Sequence, residues 1–506
     1  MDFYETINKL KGDILPVSAF LDKKDGIIIP STVKNEKRET TEIVPCWIKE
    51  NCIQCGKCAF ACPHAVIRPY LIDKNNEIVE SIPSLIPKDA NYVIGISYKD
   101  CTGCGVCVNA CPGKKGDKAL EMKPYNKQEF NQNVFDYLEK NNLNESKKVP
   151  ILNVKNLSLQ EPKFEFSGAC AGCGETPYLT NLTRMFNDNL IIANATGCSS
   201  IYSASMPSTA YNVPWASSLF EDNAEYGLGI KSAINLKRDK IKKYMEENKC
   251  TLFKKWLDNI DDYTICKEVQ EKIDYNKHPF LEKLKDYIVP KSMWIIGGDG
   301  FAYDIGYGGL DHVLSTNENI NILVLDTEVY SNTGGQSSKS SNLGSVASFT
   351  ANGKRNYKKD LARIAMCYPH VYVAQTNIGY NSEQYLKVLE EANKHNGPSL
   401  VIAYSPCIEH GIKNGMEHSQ TNAYLASECG YFLTFRYNPI EGKFILDSKN
   451  VEFDKYDEFL MTENRYASLK KIDEDVCNSI LSEQKNWAIS RYNYYKKLEE
   501  IDNILE

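Results

Sequence analysis

The 506-residue sequence predicts an α/β protein, a large domain on a parallel sheet preceded by a small α+β domain that folds around metal. Three observations carry this expectation. From about 166 to 440, short apolar runs alternate with helical patterns, the signature of a parallel sheet with crossover helices. From 42 to 125, two cysteine runs stand among short loops, with too few long apolar segments to make a core unaided. Between these regions NKQEFNQNVFDYLEKNNLNESKK is polar, and the boundary falls there.

In chain order, residues 1–41 carry KDG and KNEKRETTE runs without sustained periodicity and read as a linker arm. Residues 42–125 form the small domain. In it Cys52, Cys55, Cys58 and Cys62, followed by Pro63, spell C-x2-C-x2-C-x3-C-P, and Cys101, Cys104, Cys107 and Cys111 with Pro112 repeat it. Three thiolates spaced by two residues let one loop wrap three corners of an iron-sulfur cubane, and the fourth comes from elsewhere. In the two-cluster ferredoxin arrangement each run lends its fourth cysteine to the other cluster. One [4Fe-4S] cluster is therefore assigned to Cys52, Cys55, Cys58 and Cys111, the second to Cys101, Cys104, Cys107 and Cys62. Structural zinc fits less well, since it favours paired C-x2-C knuckles. His64 reads as a packed or exposed side chain.

Residues 126–165 read as a second linker, 166–463 as the large domain and 464–506, charged with Tyr, Leu and Ile at helical spacing, as C-terminal helices. NLIIANA, SMWIIGG, INILVLD, HVYVAQT and PSLVIAY are the strand candidates, and SEQYLKVLEEANKHNG is a helix between the last two. After SMWII comes GGDG. Glycine there lets the backbone approach a phosphate, a following helix N-terminus favours the anion, and Asp299 would hold Mg2+ beside phosphate oxygens. Alone, GDG is also a common turn.

GDGFAYDIGYGGLDHV followed by VLDTEVYSNTGGQSSKS resembles the thiamine diphosphate site of the pyruvate:ferredoxin oxidoreductases. Where thiamine enzymes generally have Asn, Thr327 stands here, as in that family. The resemblance implies Mg2+ held by Asp299, the Thr327 hydroxyl and the Val329 carbonyl. It implies cofactor contacts from Gly298, Asp299, Gly300 and Phe301, and from Thr327, Glu328, Val329, Tyr330, Ser331 and Asn332. Asn332 would also face substrate and is the candidate catalytic residue. CAGCGET, TGCSS and YSPCIEHG bring Cys170, Cys173, Cys198 and Cys407, which spacing alone does not join. By the resemblance they hold a third [4Fe-4S] cluster beside the thiamine, with Glu175 and Cys198 also touching the cofactor. Cys46, Cys250, Cys266, Cys367, Cys429 and Cys477 lack ligand spacing and read as structural. His312, His410 and His418, near motif segments, read as packing or solvent residues.

The resemblance runs from LPVSAF to NRYASLK but matches only the C-terminal part of the family's long polypeptide. It implies oxidative decarboxylation of pyruvate with CoA to acetyl-CoA and CO2, and three clusters passing electrons to ferredoxin or flavodoxin. A missing N-terminal half or subunit is expected, as fragment or separate chain, with a homodimer as the complete enzyme. A related enzyme for another 2-oxo acid, and a non-catalytic electron-transfer subunit, are the alternatives. A net charge of -7 argues against a nucleic-acid partner. No run of about 18 apolar residues suggests a membrane span, and no signal-peptide core opens the chain, so a cytoplasmic location is expected. There, eighteen cysteines suit metal better than disulfides.

Overall fold

The structure is a computed structural model. It describes residues 2–504 apart from 24–29, 31, 128, 148, 152 and 206–207. The small N-terminal unit is closed by an antiparallel pair, β1 (Ile43–Trp47) with β5 (Leu120–Pro124), in the register Pro45 opposite Met122. Between them lie α1 (Lys57–Ala61), the antiparallel sheet β2 (Ile67–Ile72), β3 (Ile82–Pro83) and β4 (Asn91–Ile96) in the order β2-β4-β3, and α2 (Val106–Ala110). The two cysteine runs take the same course. Each reaches a left-handed glycine, Gly56 at φ 74° or Gly105 at φ 79°, and then a five-residue helix. A side chain at Gly56 would sit 2.3 Å from Ser158 Oγ, so bulk as well as backbone reserves that position for glycine. The unit's core mixes aliphatic side chains such as Ile67, Leu71 and Val93 with the ligand candidates Cys62, Cys101 and Cys107.

The large unit is an α/β sheet of eight strands. After α3 (Thr176–Phe186) come β6 (Leu190–Ala195), α4 (Cys198–Ile201), β7 (Trp215–Ser218), α5 (Asn223–Glu247), β8 (Ser292–Gly297), α6 (Asp299–Ala302), β9 (Asn321–Asp326), β10 (Tyr372–Thr376), α7 (Ser382–Lys394), β11 (Ser399–Tyr404), β12 (Phe435–Asn438) and β13 (Lys443–Leu446). The strand order is β13-β12-β10-β11-β9-β8-β6-β7. All neighbours are parallel up to β10, and β12 and β13 add an antiparallel edge. All five strand candidates and the intervening helix lie where the sequence predicts.

Alternation sends side chains of each central strand to opposite faces. In β9, Ile322 and Val324 join one core and Leu323 and Leu325 the other. The second half of α5 and the residues to Val289 pack a separate small core around Trp256 and Phe253. Two closing helices, α8 (Asn464–Ile472) and α9 (Glu474–Ile504), lie against one face, with Tyr495 stacked on Phe444.

Candidate active site and metal centres

Four neighbouring parallel strands, β11, β9, β8 and β6, end on the same side of the sheet. That edge, beyond the carboxyl ends of the strands, is where open α/β sheets place their ligands. Just past β8 lie Gly298 and Asp299, past β9 Thr327 to Asn332, past β6 Cys198, and past β11 Cys407. All of these except Cys407 and Glu328 line a cavity of about 390 Å3, together with Glu175, Gly300, Phe301, Phe220 and Ile305. Of the cofactor contacts expected from the sequence, all line it except Glu328.

The donors at its floor suit a cation. Asp299 is buried, its Oδ2 accepts from Ser338 Oγ at 2.6 Å, and its Oδ1 has no partner. Burial, reinforced by Asp326, pushes this carboxyl well above its ordinary range, the penalty of an anion without its counter-charge. The Thr327 hydroxyl donates to the Val329 carbonyl at 3.0 Å and accepts from Ser331 at 2.9 Å, so the two remaining oxygen donors sit together. A free carboxylate oxygen, a hydroxyl and a carbonyl are the hard oxygen set that Mg2+ takes alongside phosphate.

Glu328 stands at φ 60°, a left-handed conformation unusual for a non-glycine residue. Its carboxylate turns away from the cavity into ion pairs with Lys358 at 2.7 Å and Arg465 at 2.9 Å, and accepts from Tyr431 at 2.5 Å. Burial opposes its ionisation, but Lys358 and Arg465 prevail and hold it down at about 2. Arg465 continues to Glu463 at 2.6 Å, and Glu463 lies 3.6 Å from Nδ1 of the fully buried His410. His410 Nε2 is 2.7 Å from the Thr327 carbonyl, where it donates. On the other side Lys358 pairs with Asp326 at 2.6 Å. This buried chain clamps the loop that carries Thr327, and nothing in the local sequence announces it, because its members come from five separate segments.

A second cavity of about 130 Å3 is lined by Cys170, Cys173, Cys198 and Cys407. Glu175, Cys198, Thr327 and Asn332 line both cavities, so the two share a wall. Glu175 is buried with Oε2 unpartnered, and burial pushes its carboxyl up to about 7, only partly offset by the nearby Tyr202 hydroxyl.

In the small unit, Cys52, Cys55, Cys58 and Cys111 line one cavity. Of the neighbouring thiols, Cys62 acts most strongly on each of Cys101, Cys104 and Cys107. Each run's fourth cysteine thus lies with the other run. Burial pushes the Cys58 and Cys107 thiols well up, so only a bound cation would keep them ionised there. Among the described residues no group of three His, Cys, Asp or Glu side chains is arranged to hold a single ion. The second run abuts the large unit. Gly172, in the Cys170–Cys173 loop, turns its N–H toward Cys104, and Asn109 pairs with His418 at 2.8 Å and accepts from Thr421 at 2.8 Å. His64, also buried, lies 3.2 Å from the Ser167 carbonyl, on the same side.

Among the cysteines without ligand spacing, Cys266, Cys429 and Cys477 are buried, Cys46 is half-buried, and Cys250 and Cys367 are exposed. Cys250 caps the helix Thr251–Leu257.

Comparison with known proteins bears on both units. The model of the thiamine pyrophosphate enzyme C-terminal TPP binding domain matches residues 284–403, and that of the 4Fe-4S dicluster domain matches 31–115. Pyruvate:ferredoxin oxidoreductase of Moorella thermoacetica is 45% identical over 98% of this chain. The chain is its homologue. Pyruvate-flavodoxin oxidoreductase of Klebsiella pneumoniae is 43% identical over 98%, and the mitochondrial pyruvate dehydrogenase [NADP(+)] of Euglena gracilis 40% over 97%. The chain spans 45% of the length of the first two and 29% of the third. A solved 2-oxoglutarate:ferredoxin oxidoreductase from Magnetococcus marinus matches 48% of this chain and 65% of its own at 17% identity and a TM-score of 0.33, too remote to bear on the site. The chain thus combines an iron-sulfur dicluster domain with a C-terminal thiamine-pyrophosphate-binding domain.

Proposed function

We propose that this chain is the thiamine- and electron-carrying part of an enzyme that oxidatively decarboxylates pyruvate with CoA, giving acetyl-CoA and CO2 and reducing ferredoxin or flavodoxin. One observation carries the reading: the cavity edged by Asp299 and the Thr327–Asn332 loop shares a wall with the cavity of four thiols. Bound there, thiamine diphosphate with Mg2+ supplies the nucleophilic carbon and electron sink for 2-oxo acid decarboxylation, and iron-sulfur clusters supply one-electron acceptors. Asp299, the Thr327 hydroxyl and the Val329 carbonyl would hold Mg2+. The Asp299 oxygen left without a partner supports this assignment.

The protein's own part is to place and shield. Gly298 to Phe301 take the diphosphate end against the N-terminus of α6, whose free N–H groups favour an anion. Asn332, on the shared wall, orients the substrate, and Phe220 and Ile305 give one side of the cavity an apolar lining. Cys170, Cys173, Cys198 and Cys407 hold the third [4Fe-4S] cluster. The run that packs on the Cys170–Cys173 loop holds the next one, with Cys101, Cys104, Cys107 and Cys62 as ligands. Cys52, Cys55, Cys58 and Cys111 hold the last. The homologues' names include ferredoxin, flavodoxin and NADP(+), so the acceptor is not tied to the portion shared with this chain.

The cavity's outer wall is open to solvent: of its lining residues, Ile305 is 65% exposed and Phe220 38%. Another polypeptide segment, matching the rest of the homologues' length, would cover it, activate the cofactor and bind CoA, with a homodimer as the complete assembly. The experiment is calorimetric titration of the anaerobically purified chain with thiamine diphosphate, with and without Mg2+. Mg2+-dependent binding is expected, with pyruvate turnover only when the remaining segment is supplied. Binding indifferent to Mg2+ would overturn the reading.

A further inference from the structure

Among the described residues four arginines are buried: Arg68, Arg184, Arg436 and Arg465. Three of them face two carboxylates each: Arg68 pairs with Glu139 and Glu165, Arg436 with Glu391 and Asp447, and Arg465 with Glu328 and Glu463. Arg184 is 1% exposed and pairs with no carboxylate. Its Nη1 donates to the Ala59 carbonyl at 3.0 Å and to Asn181 Oδ1 at 3.1 Å, while its Nε and Nη2 have no partner. Burial of a charge without its counter-ion is strongly unfavourable, so the cation needs an anion that the polypeptide does not supply.

Its surroundings point to that anion. Arg184 lies near the end of α3, and Ala59 lies in α1 between Cys58 and Cys62, one ligand candidate from each crossed set. Asn181, one turn earlier, donates to the Phe60 carbonyl at 2.9 Å, so α3 grips the stretch of chain that carries both cysteines. A [4Fe-4S] cluster with four thiolates is a net anion and gains one further negative charge on accepting an electron. Net charge is one of the levers that set such a cluster's potential.

We propose that Arg184 is a redox-tuning residue of the small unit, an internal cation that stabilises the reduced form of the cluster held by Cys62, and less strongly that held by Cys58, and so raises their reduction potentials. The proposal rests on the cluster assignment above. Burial, with Arg68 nearby, brings the guanidinium down to about 10, so it stays charged at neutral pH, and the Cys62 thiol acts on it more strongly than the Cys58 thiol. The competing account is purely structural: Arg184 and Asn181 would only satisfy the last carbonyls of α1.

The two accounts part on charge. Arg184→Gln keeps a donor for Ala59 and loses the cation. Asn181→Asp, isosteric with the native side chain, sets a carboxylate against Nη1. Arg184→Lys keeps the charge. Each full-length variant is purified anaerobically, its iron counted, and its clusters titrated reductively by electron paramagnetic resonance. Expected are lowered potentials for the two small-unit clusters in Arg184→Gln and Asn181→Asp, a potential near the native one in Arg184→Lys, and an unmoved third cluster as internal control. If the glutamine variant fails to load iron, the aspartate variant decides. Unchanged potentials in an iron-replete variant, or an equal shift in all three clusters, would overturn the tuning while leaving the cluster assignment standing. A native chain with no cluster on the Cys62 set would overturn both.

Discussion

The two units of this molecule place their candidate metal ligands in opposite ways. In the small unit the ligand candidates are part of the core: Cys62, Cys101 and Cys107 pack among Ile67, Leu71 and Val93 on sheets of two and three strands. In the large unit, two apolar cores flank an eight-stranded sheet, and the four cysteines stand at the rim of its carboxyl edge. Metal in the first case would complete a fold, whereas in the second it would occupy a finished one. The contrast teaches that the same cluster chemistry would be coupled to stability in one place and mainly to function in the other.

Oxidative removal of all clusters is the sharpest way to break that contrast, and its effect should be the largest. Hydrogen exchange across 42–125 is expected to lose nearly all its protection, while β6, β8, β9 and β11 stay protected. Equal loss in both units would erase the distinction. Next in size, Asp299→Ala should weaken Mg2+-dependent thiamine diphosphate binding at least about 100-fold by calorimetry, since a metal's direct ligand matters more than the about 10–100-fold typical of its supporting shell. Its thermal unfolding should change little, because the carboxylate is itself an uncompensated burden on the empty fold. Affinity equal to the native chain's would put the cofactor elsewhere.

Cys407→Ala should lower the iron content from about twelve to about eight atoms per chain, with the small unit's exchange protection intact. Collapse of all clusters together would contradict the independence of the units. His410→Ala is expected to act more mildly, weakening cofactor binding about 10-fold through the loss of the bond to the Thr327 carbonyl, with iron content kept. Loss of iron without loss of affinity would mean that His410 serves the cluster loop instead. Smallest of all, Cys477→Ser should leave both iron and cofactor binding unchanged.

Much of this was legible in the sequence. The five central strands were visible because parallel strands buried on both faces read as unbroken apolar runs, and SMWIIGG and INILVLD are such runs. The spacing shows that a short loop reaches only three corners of a cubane, and the two-cluster ferredoxin arrangement then predicts Cys111 with the first run and Cys62 with the second. The third set was not legible from spacing. Cys173 and Cys407 lie 234 residues apart, and only the tertiary fold joins their loops, where the Gly174 N–H donates to the Pro406 carbonyl at 3.0 Å. The ion chain behind the Thr327 loop was hidden for the same reason. Glu328 sits inside TEVYSN among cavity-lining residues, yet its positive φ turns the side chain to the far side of the loop. The lone charge of Arg184 was equally silent, because a sequence does not reveal which arginine finds a carboxylate.

The account stands on the claim that two cavities sharing Glu175, Cys198, Thr327 and Asn332 receive a thiamine diphosphate and a cluster side by side. A crystal structure of the anaerobically purified chain, soaked with thiamine diphosphate and Mg2+ and recorded at the iron absorption edge, tests it most directly. The account predicts three compact iron peaks, on Cys52, Cys55, Cys58 and Cys111, on Cys101, Cys104, Cys107 and Cys62, and on Cys170, Cys173, Cys198 and Cys407, with the diphosphate against Asp299 next to the third. Only two peaks, or a diphosphate bound away from Asp299, would contradict it.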